Sequence, residues 1–172
     1  MAHQLLERLN EGELPYFSYL HSPHYILTKF GPQGKCAIFS PQDKGVFKVV
    51  RIAILADIHS NLEALNAVLA DAGEHGTVDE IWCLGDTVGY GPDPTACLDT
   101  VLSMDHVLVA GNHDLASVGK ISLVDFNPYA AEACRWTATQ LSSEHSEHLS
   151  NLPLRTEQAP FTLVHGSPRD PT

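Results

Sequence analysis

Four short apolar runs in this chain each end in a polar word, and that repetition constrains the fold more than any other feature. Val49 to Ala56 (VVRIAILA) is β-branched and nearly continuous in apolar character, as suits a strand buried on both faces, and it runs into Asp57-Ile58-His59. Ile81 to Leu84 ends in Gly85-Asp86, His106 to Ala110 in Gly111-Asn112-His113-Asp114, and Phe161 to Val164 in His165-Gly166-Ser167. Helical patterns lie between the runs. Ser60 and Glu63 form a capping-box pattern, Leu62, Leu65, Val68, Leu69 and Ala72 recur at helical spacing, and Gly73 and Gly76 stop that helix. Asp93-Pro94 opens a helix that turns Cys97, Leu98, Val101 and Leu102 inward; Asn127-Pro128 opens another through Leu141, and Ser142 to Leu149 is helical as well. This alternation predicts an α/β fold.

Ligands of open α/β sheets bind beyond the carboxyl ends of the strands, where the loops converge. The predicted strands deliver Asp57, His59, Asp86, Asn112, His113, Asp114 and His165 to that edge. Carboxylates, imidazoles and one carboxamide, with no thiolate among them, suit Mn²⁺, Fe, Zn²⁺ or Co²⁺ better than thiophilic ions, and a carboxylate such as Asp86 can bridge two of them. Any one of these residues taken alone reads better as a turn or helix cap. Taken together, the four clusters favour a dinuclear centre.

Composition bounds the rest. With 172 residues, 44% of them hydrophobic, the chain suits one globular domain, and its formal net charge of −11 argues against binding nucleic acid or an anionic membrane by bulk electrostatics. Residues 1–50 hold five basic and four acidic side chains, whereas residues 51–172 hold five and 17, so the acidity belongs to the regular part. No apolar run approaches the roughly 18 residues of a membrane span, and a cytoplasmic location is expected. Cys36, Cys83, Cys97 and Cys134 form no C-x-x-C pair and read as reduced, mostly buried thiols.

Asp57-x-His59, Gly85-Asp86, Gly111-Asn112-His113-Asp114 and His165-Gly166, in that order, resemble the calcineurin-like metallophosphoesterase family across about Arg51 to Pro168. Asp57-Ile58-His59-Ser60-Asn61, Gly89-Tyr90-Gly91-Pro92-Asp93-Pro94 and the words after His165 resemble its smaller prokaryotic phosphoesterase branch. The resemblance implies an αββα sandwich of which this sequence holds the first half. It implies two divalent ions, Mn²⁺ foremost, with Fe, Zn²⁺, Co²⁺ or Ni²⁺ as alternatives. Asp57 and His59 would hold one ion, Asp86 would bridge, and Asn112 with His165 would hold the second. Two cations about 3.5–4 Å apart acidify a shared water into a hydroxide nucleophile and clamp phosphate oxygens. His113 would reach the phosphate or leaving oxygen, with Asp114 orienting its imidazole or, alternatively, capping the following helix. The implied substrate is a phosphate mono- or diester, small or nucleotide-like.

Two departures from the family's pattern bear on that expectation. Thr87-Val88-Gly89-Tyr90 stands where many members have an Asp or Arg, which affects substrate choice. The family's final Gly-His-x-His segment is absent before Thr172, so residues 50–172 read as a partial domain, each ion short of one ligand, with the chain's own activity in question. A noncatalytic remnant or interaction module is the rival reading, and completion of the site by another polypeptide a third. Residues 1–49 read as an extension of uncertain status, translated upstream sequence or a poorly ordered segment. His145-Ser146-Glu147-His148 lacks the spacing of a zinc-protease motif and reads as a solvated helix face. Trp82 and Trp136 read as core or interface residues, and Arg169 as a phosphate contact or a loop salt bridge.

Overall fold

A computed structural model of the protein describes residues 17–19, 27–29 and 51–172. Strands β1 (Phe17–Tyr19) and β2 (Leu27–Lys29) pair antiparallel with Phe17 opposite Lys29. Otherwise the expected extension lies outside the described residues.

Three strands, β3 (Ile52–Leu55), β4 (Glu80–Cys83) and β5 (His106–Leu108), form a parallel sheet in chain order. Ile52 lies opposite Glu80 and Leu55 opposite Cys83, while Ile81 pairs with His106 and Cys83 with Leu108. Helices α1 (Leu62–Glu74) and α2 (Pro94–Leu102) make the two crossovers that parallel pairing requires. Because successive strand residues face opposite sides, Ala53, Leu55, Ile81, Cys83 and Leu108 pack with Leu65, Cys97 and Val101 of the helices. Ile52, Ile54, Trp82, Leu84, Val107 and Val109 pack together on the other side with Phe161 and Leu163. Fully buried residues such as Ile81 and Val101 each contribute roughly 1.5–3 kcal/mol, so this packing ties helices to sheet.

The chain continues through α3 (Asn112–Ser117), α4 (Pro128–Gln140) and α5 (Ser143–Ser150), then an antiparallel hairpin of β6 (Arg155–Gln158) and β7 (Phe161–Val164). Asn127 caps α4 through the amides of Tyr129 and Ala130, as its Asn-Pro sequence foretold. Neither α3 nor β6 was foreseen. Helix α3 starts inside the Asn112-His113-Asp114 word, and Arg155-Thr156-Glu157-Gln158 carries no apolar alternation to mark a strand. Consequently β7 belongs to the hairpin and not to the parallel sheet, which it meets only through side-chain packing.

Two local readings need correction. Asn61, not Ser60, caps α1: its side chain accepts the Ala64 amide, while Ser60 is fully buried and its hydroxyl has no hydrogen-bond partner among the described residues. His145 and His148 are no solvated face, since His145 bridges Asp99 (2.9 Å) and Ser142 (3.0 Å) and the His148 Nε2 is buried. Trp82 lies in the core, whereas Trp136 is 41% exposed. Among the described residues no helix is long and apolar enough to cross a membrane.

Candidate metal centre

The loops after β3 and β4 are stitched together by main-chain bonds that extend the strand pairing past its last residue. Asp57, His59 and Ser60 donate their amides to the carbonyls of Gly85, Asp86 and Thr87 at 3.1, 2.9 and 3.0 Å. The chain reaches this geometry only by placing Asp57, His59, Ser60, Asp86 and Tyr90 at φ between 49° and 59°. Left-handed backbone costs a non-glycine residue about 1–3 kcal/mol and persists only where surrounding contacts over-determine it. Five such residues in two loops mark this edge of the sheet as built for something other than stability.

Gly85 and Gly111 let the loops after β4 and β5 touch. A Cβ on Gly85 would lie 2.6 Å from the Gly111 nitrogen and 2.9 Å from His165 Nδ1, and one on Gly111 would collide with Asp86 Oδ1. Asp86 is thereby drawn to the centre, its side chain only 4% exposed. Its Oδ1 accepts the His113 amide at 2.8 Å. Its Oδ2 lies 3.7 Å from His59 Nε2 and 3.5 Å from His165 Nε2.

Partners on the far side of each ring fix what those nitrogens offer. His59 Nδ1 lies 3.2 Å from the Val88 carbonyl and His165 Nδ1 2.8 Å from the Leu84 carbonyl. A carbonyl only accepts, so both rings present an N–H to it at Nδ1 and turn Nε2 toward Asp86. Asp57 Oδ1 stands 3.6 Å from His59 Nε2 on a carboxylate 61% exposed.

Two donor groups share Asp86: Asp57, Asp86 and His165 in one, and His59, Asp86 and His113 in the other, each with its atoms within 4.8 Å. The resemblance paired Asp57 with His59 and set His113 apart. Asp86 is common to both arrangements. Asn112 opens α3 directly before the amide that Asp86 holds, and its carboxamide has no hydrogen bond among the described residues.

His113 sits under an aromatic cover, its ring centroid 4.8 Å from His59, 4.6 Å from Tyr90 and 5.2 Å from Phe126. Burial is the main influence lowering its pKa, with Asp86 the largest opposing one. Asp114 does not orient this imidazole as expected. Its buried carboxylate accepts three backbone amides instead: Asp86 at 2.8 Å and Gly111 at 3.0 Å through Oδ2, and Val88 at 3.1 Å through Oδ1. The Gly111 bond is a helix-capping contact, the alternative that the sequence left open. Burial pushes the Asp114 carboxyl up to about 7, against the pull of those amides.

Sequence reasoning missed Cys134, fully buried on α4, whose Sγ lies 3.5 Å from His113 Nδ1. Its only signal was an inward helical stripe with Ala130, Ala131 and Thr137, which reads as core. Beside the donors an open cleft of about 470 Å³ is lined by Asp57, Ile58, His59, Asn61, Tyr90, Gly91 and Pro92.

The sequence profile of the calcineurin-like phosphoesterase family matches residues 50–171, and the chain belongs to that family, whose members use divalent metals. It is 43% identical over 124 residues to the uncharacterized protein MJ0912 of Methanocaldococcus jannaschii, covering 70% of this chain and 51% of that protein. A crystal structure of a metallophosphoesterase from Sphaerobacter thermophilus aligns at 50% identity with a TM-score of 0.60, over 71% of this chain and 49% of that one. The symmetrical bis(5'-nucleosyl)-tetraphosphatase of Pectobacterium carotovorum is 38% identical over 64 residues, 36% of this chain and 23% of its own length. The chain thus spans about half the length of the first two of these relatives.

Proposed function

We propose that this chain hydrolyses phosphate mono- or diesters in the cytoplasm with two divalent ions, Mn²⁺ foremost and Fe, Zn²⁺, Co²⁺ or Ni²⁺ as alternatives. The carrying observation is Asp86, a buried carboxylate whose Oδ2 faces the Nε2 atoms of two imidazoles whose Nδ1 atoms lie against main-chain carbonyls. Such an oxygen and nitrogen donor set fits hard to borderline divalent ions. Asp57, His59, Asp86, Asn112 and His165 would hold them. When bound, the ions acidify a water and neutralise charge on the phosphoryl oxygens. His113, covered by Tyr90 and Phe126, meets a phosphoryl oxygen or the leaving oxygen, and Asp114 acts on it through the backbone it clamps.

Two features support a nucleotide-like substrate. The cleft is walled by Tyr90, Ile58 and Pro92, and Tyr90 is 50% exposed, free to stack on a planar leaving group. The local similarity to a bis(5'-nucleosyl)-tetraphosphatase points the same way. The free, buried thiols of Cys83, Cys97 and Cys134 accord with a reducing compartment.

The test is hydrolysis of p-nitrophenyl phosphate and its bis-ester with Mn²⁺, beside an Asp86→Asn variant. Metal-dependent turnover abolished in the variant is expected. The open side at Asp57 favours a second reading, a noncatalytic interaction module. Absence of turnover under every ion tried would leave that module and overturn the enzyme.

A further inference from the structure

The loop after β7 carries more than the histidine that starts it. His165 anchors its first residue, with Nδ1 2.8 Å from the Leu84 carbonyl and Nε2 3.5 Å from Asp86 Oδ2. Beyond it the chain closes on itself: the Gly166 amide donates to the Pro171 carbonyl at 2.9 Å and the Ser167 amide to the Asp170 carbonyl at 2.6 Å. The Asp170 amide donates in turn to Ser167 Oγ at 3.1 Å. A Cβ on Gly166 would lie 2.6 Å from the Asp170 oxygen, so the neck is this narrow only because glycine stands there. Pro168 and Arg169 form the exposed tip, with φ of the first fixed by its ring. A turn so constrained holds Arg169 at a set place relative to His165.

The sequence leaves two uses for Arg169, a phosphate contact or a loop salt bridge, and the ion pairs separate them. Residues 51–172 hold five cations, Arg51, Lys120, Arg135, Arg155 and Arg169. Arg135 is bound to Glu132 at 3.1 Å, and Arg155 to Glu157 at 2.6 Å through one nitrogen and 3.0 Å through another. Arg51 precedes β3, at the end of the sheet away from the donors, and Lys120 lies beyond the end of α3 opposite Asn112. Arg169 has no hydrogen bond or ion pair among the described residues. The salt bridge does not form, and among those residues Arg169 is the uncommitted cation of this edge.

The edge is otherwise acidic, and Asp57 holds a carboxylate 61% exposed there. Bound ions would neutralise the phosphoryl group that reacts, but any further phosphate on the substrate brings charge that needs its own partner. A guanidinium supplies one, with paired N–H donors that match two phosphate oxygens.

We propose that Arg169 is a specificity-determining residue that receives a second phosphate of the substrate, so that the favoured esters are phosphoanhydrides such as nucleoside di- or polyphosphates. The inference rests on the function proposed above and narrows its substrate. Hydrolysis of such an anhydride adds a water oxygen to the reacting phosphorus, breaks the bridging P–O bond and releases a proton to solvent. The bridging oxygen leaves with its electron pair on the second phosphate, where Arg169 balances the new charge.

The test compares two non-hydrolysable probes, methylphosphonate and methylenediphosphonate, titrated by calorimetry into the full 172-residue chain in one Mn²⁺ buffer. Wild type is expected to bind the diphosphonate about tenfold more tightly, and Arg169→Gln and Arg169→Glu to lose roughly that factor while methylphosphonate changes by about threefold at most. Arg169→Lys, which keeps the charge without the fork, recovers part of the loss. The wild-type preference narrows as salt is raised, as an exposed ion pair requires. In turnover, Arg169→Gln raises KM for ADP about tenfold more than KM for p-nitrophenyl phosphate. A wild type without preference for the diphosphonate overturns the inference, as does an Arg169→Gln variant that keeps the preference or weakens both probes equally. A chain that turns over no ester but shows the Arg169-dependent preference would sink the proposed function and leave Arg169 as a phosphate receptor. Turnover of p-nitrophenyl phosphate with no dependence of either probe on Arg169 would do the reverse.

Discussion

Asp86 and Asp114 are joined through the main chain: the Asp86 amide donates to Asp114 Oδ2 at 2.8 Å, while Asp86 Oδ1 accepts the amide of His113, the residue before Asp114. The two loops therefore hold each other by reciprocal bonds, and the carboxylate at the centre keeps its second oxygen free for the site.

Removing Asp114 should cost both stability and the site. Asp114→Ala strands three buried amides, each worth about 1–3 kcal/mol when left unmade, so a loss of roughly 3 kcal/mol or more is expected in urea titrations. Asp114→Asn keeps one accepting oxygen and should lose less. Mn²⁺ affinity by calorimetry should fall in both.

Gly85→Ala tests the approach of the loops. The new methyl would meet the Gly111 main chain and the His165 ring at a residue with φ of 92°. A cost of about 2–5 kcal/mol follows from adding left-handed strain to overpacking. His165 should also lose its bond to the Leu84 carbonyl, which would appear as weakened Mn²⁺ binding. Wild-type stability in this variant would contradict the close approach.

Tyr90→Gly separates stability from substrate binding. Tyr90 sits at φ 59°, and glycine there should recover about 1 kcal/mol of backbone strain. The same change removes the ring over His113 and from the cleft wall, so KM for nucleotide-like esters should rise more than KM for p-nitrophenyl phosphate. Equal changes for both substrates would count against stacking on Tyr90.

His148 should shape the acid limb of the stability curve. Burial, with His106 and His145 nearby, lowers its pKa from the ordinary 6.5. The unfolded chain then binds a proton more readily than the folded one, so this contribution is intact above about pH 6.5 and is lost as pH falls toward the folded value. His148→Gln should flatten the dependence of the urea midpoint on pH between about 7 and 5. An unchanged slope would assign the acid limb to other groups.

The sequence made the parallel strands and their helices legible because burial on both faces leaves a dense apolar run and each crossover leaves a helical stripe. It also made legible the polar words that gather around Asp86, since a polar word at a strand end has few reasons to recur. It could not reveal β6, whose four residues are held by pairing with β7 and not by apolar faces of their own. Nor could it reveal what Asp114 does, because the amides it accepts belong to residues up to 28 positions away. Cys134 was hidden for the same reason: a side chain inside a helix stripe carries no mark of which neighbouring ring it will meet.

The stitched loops have one more consequence. The frame around Asp86 is drawn largely in peptide groups, which every sequence possesses, and much less in the side chains that do the chemistry. A scaffold of that kind tolerates exchange of its working parts. Replacing one ligand by another residue of similar size should alter which ion or ester is favoured before it alters the shape, so reactivity in such a fold is free to diverge while its outline is inherited unchanged.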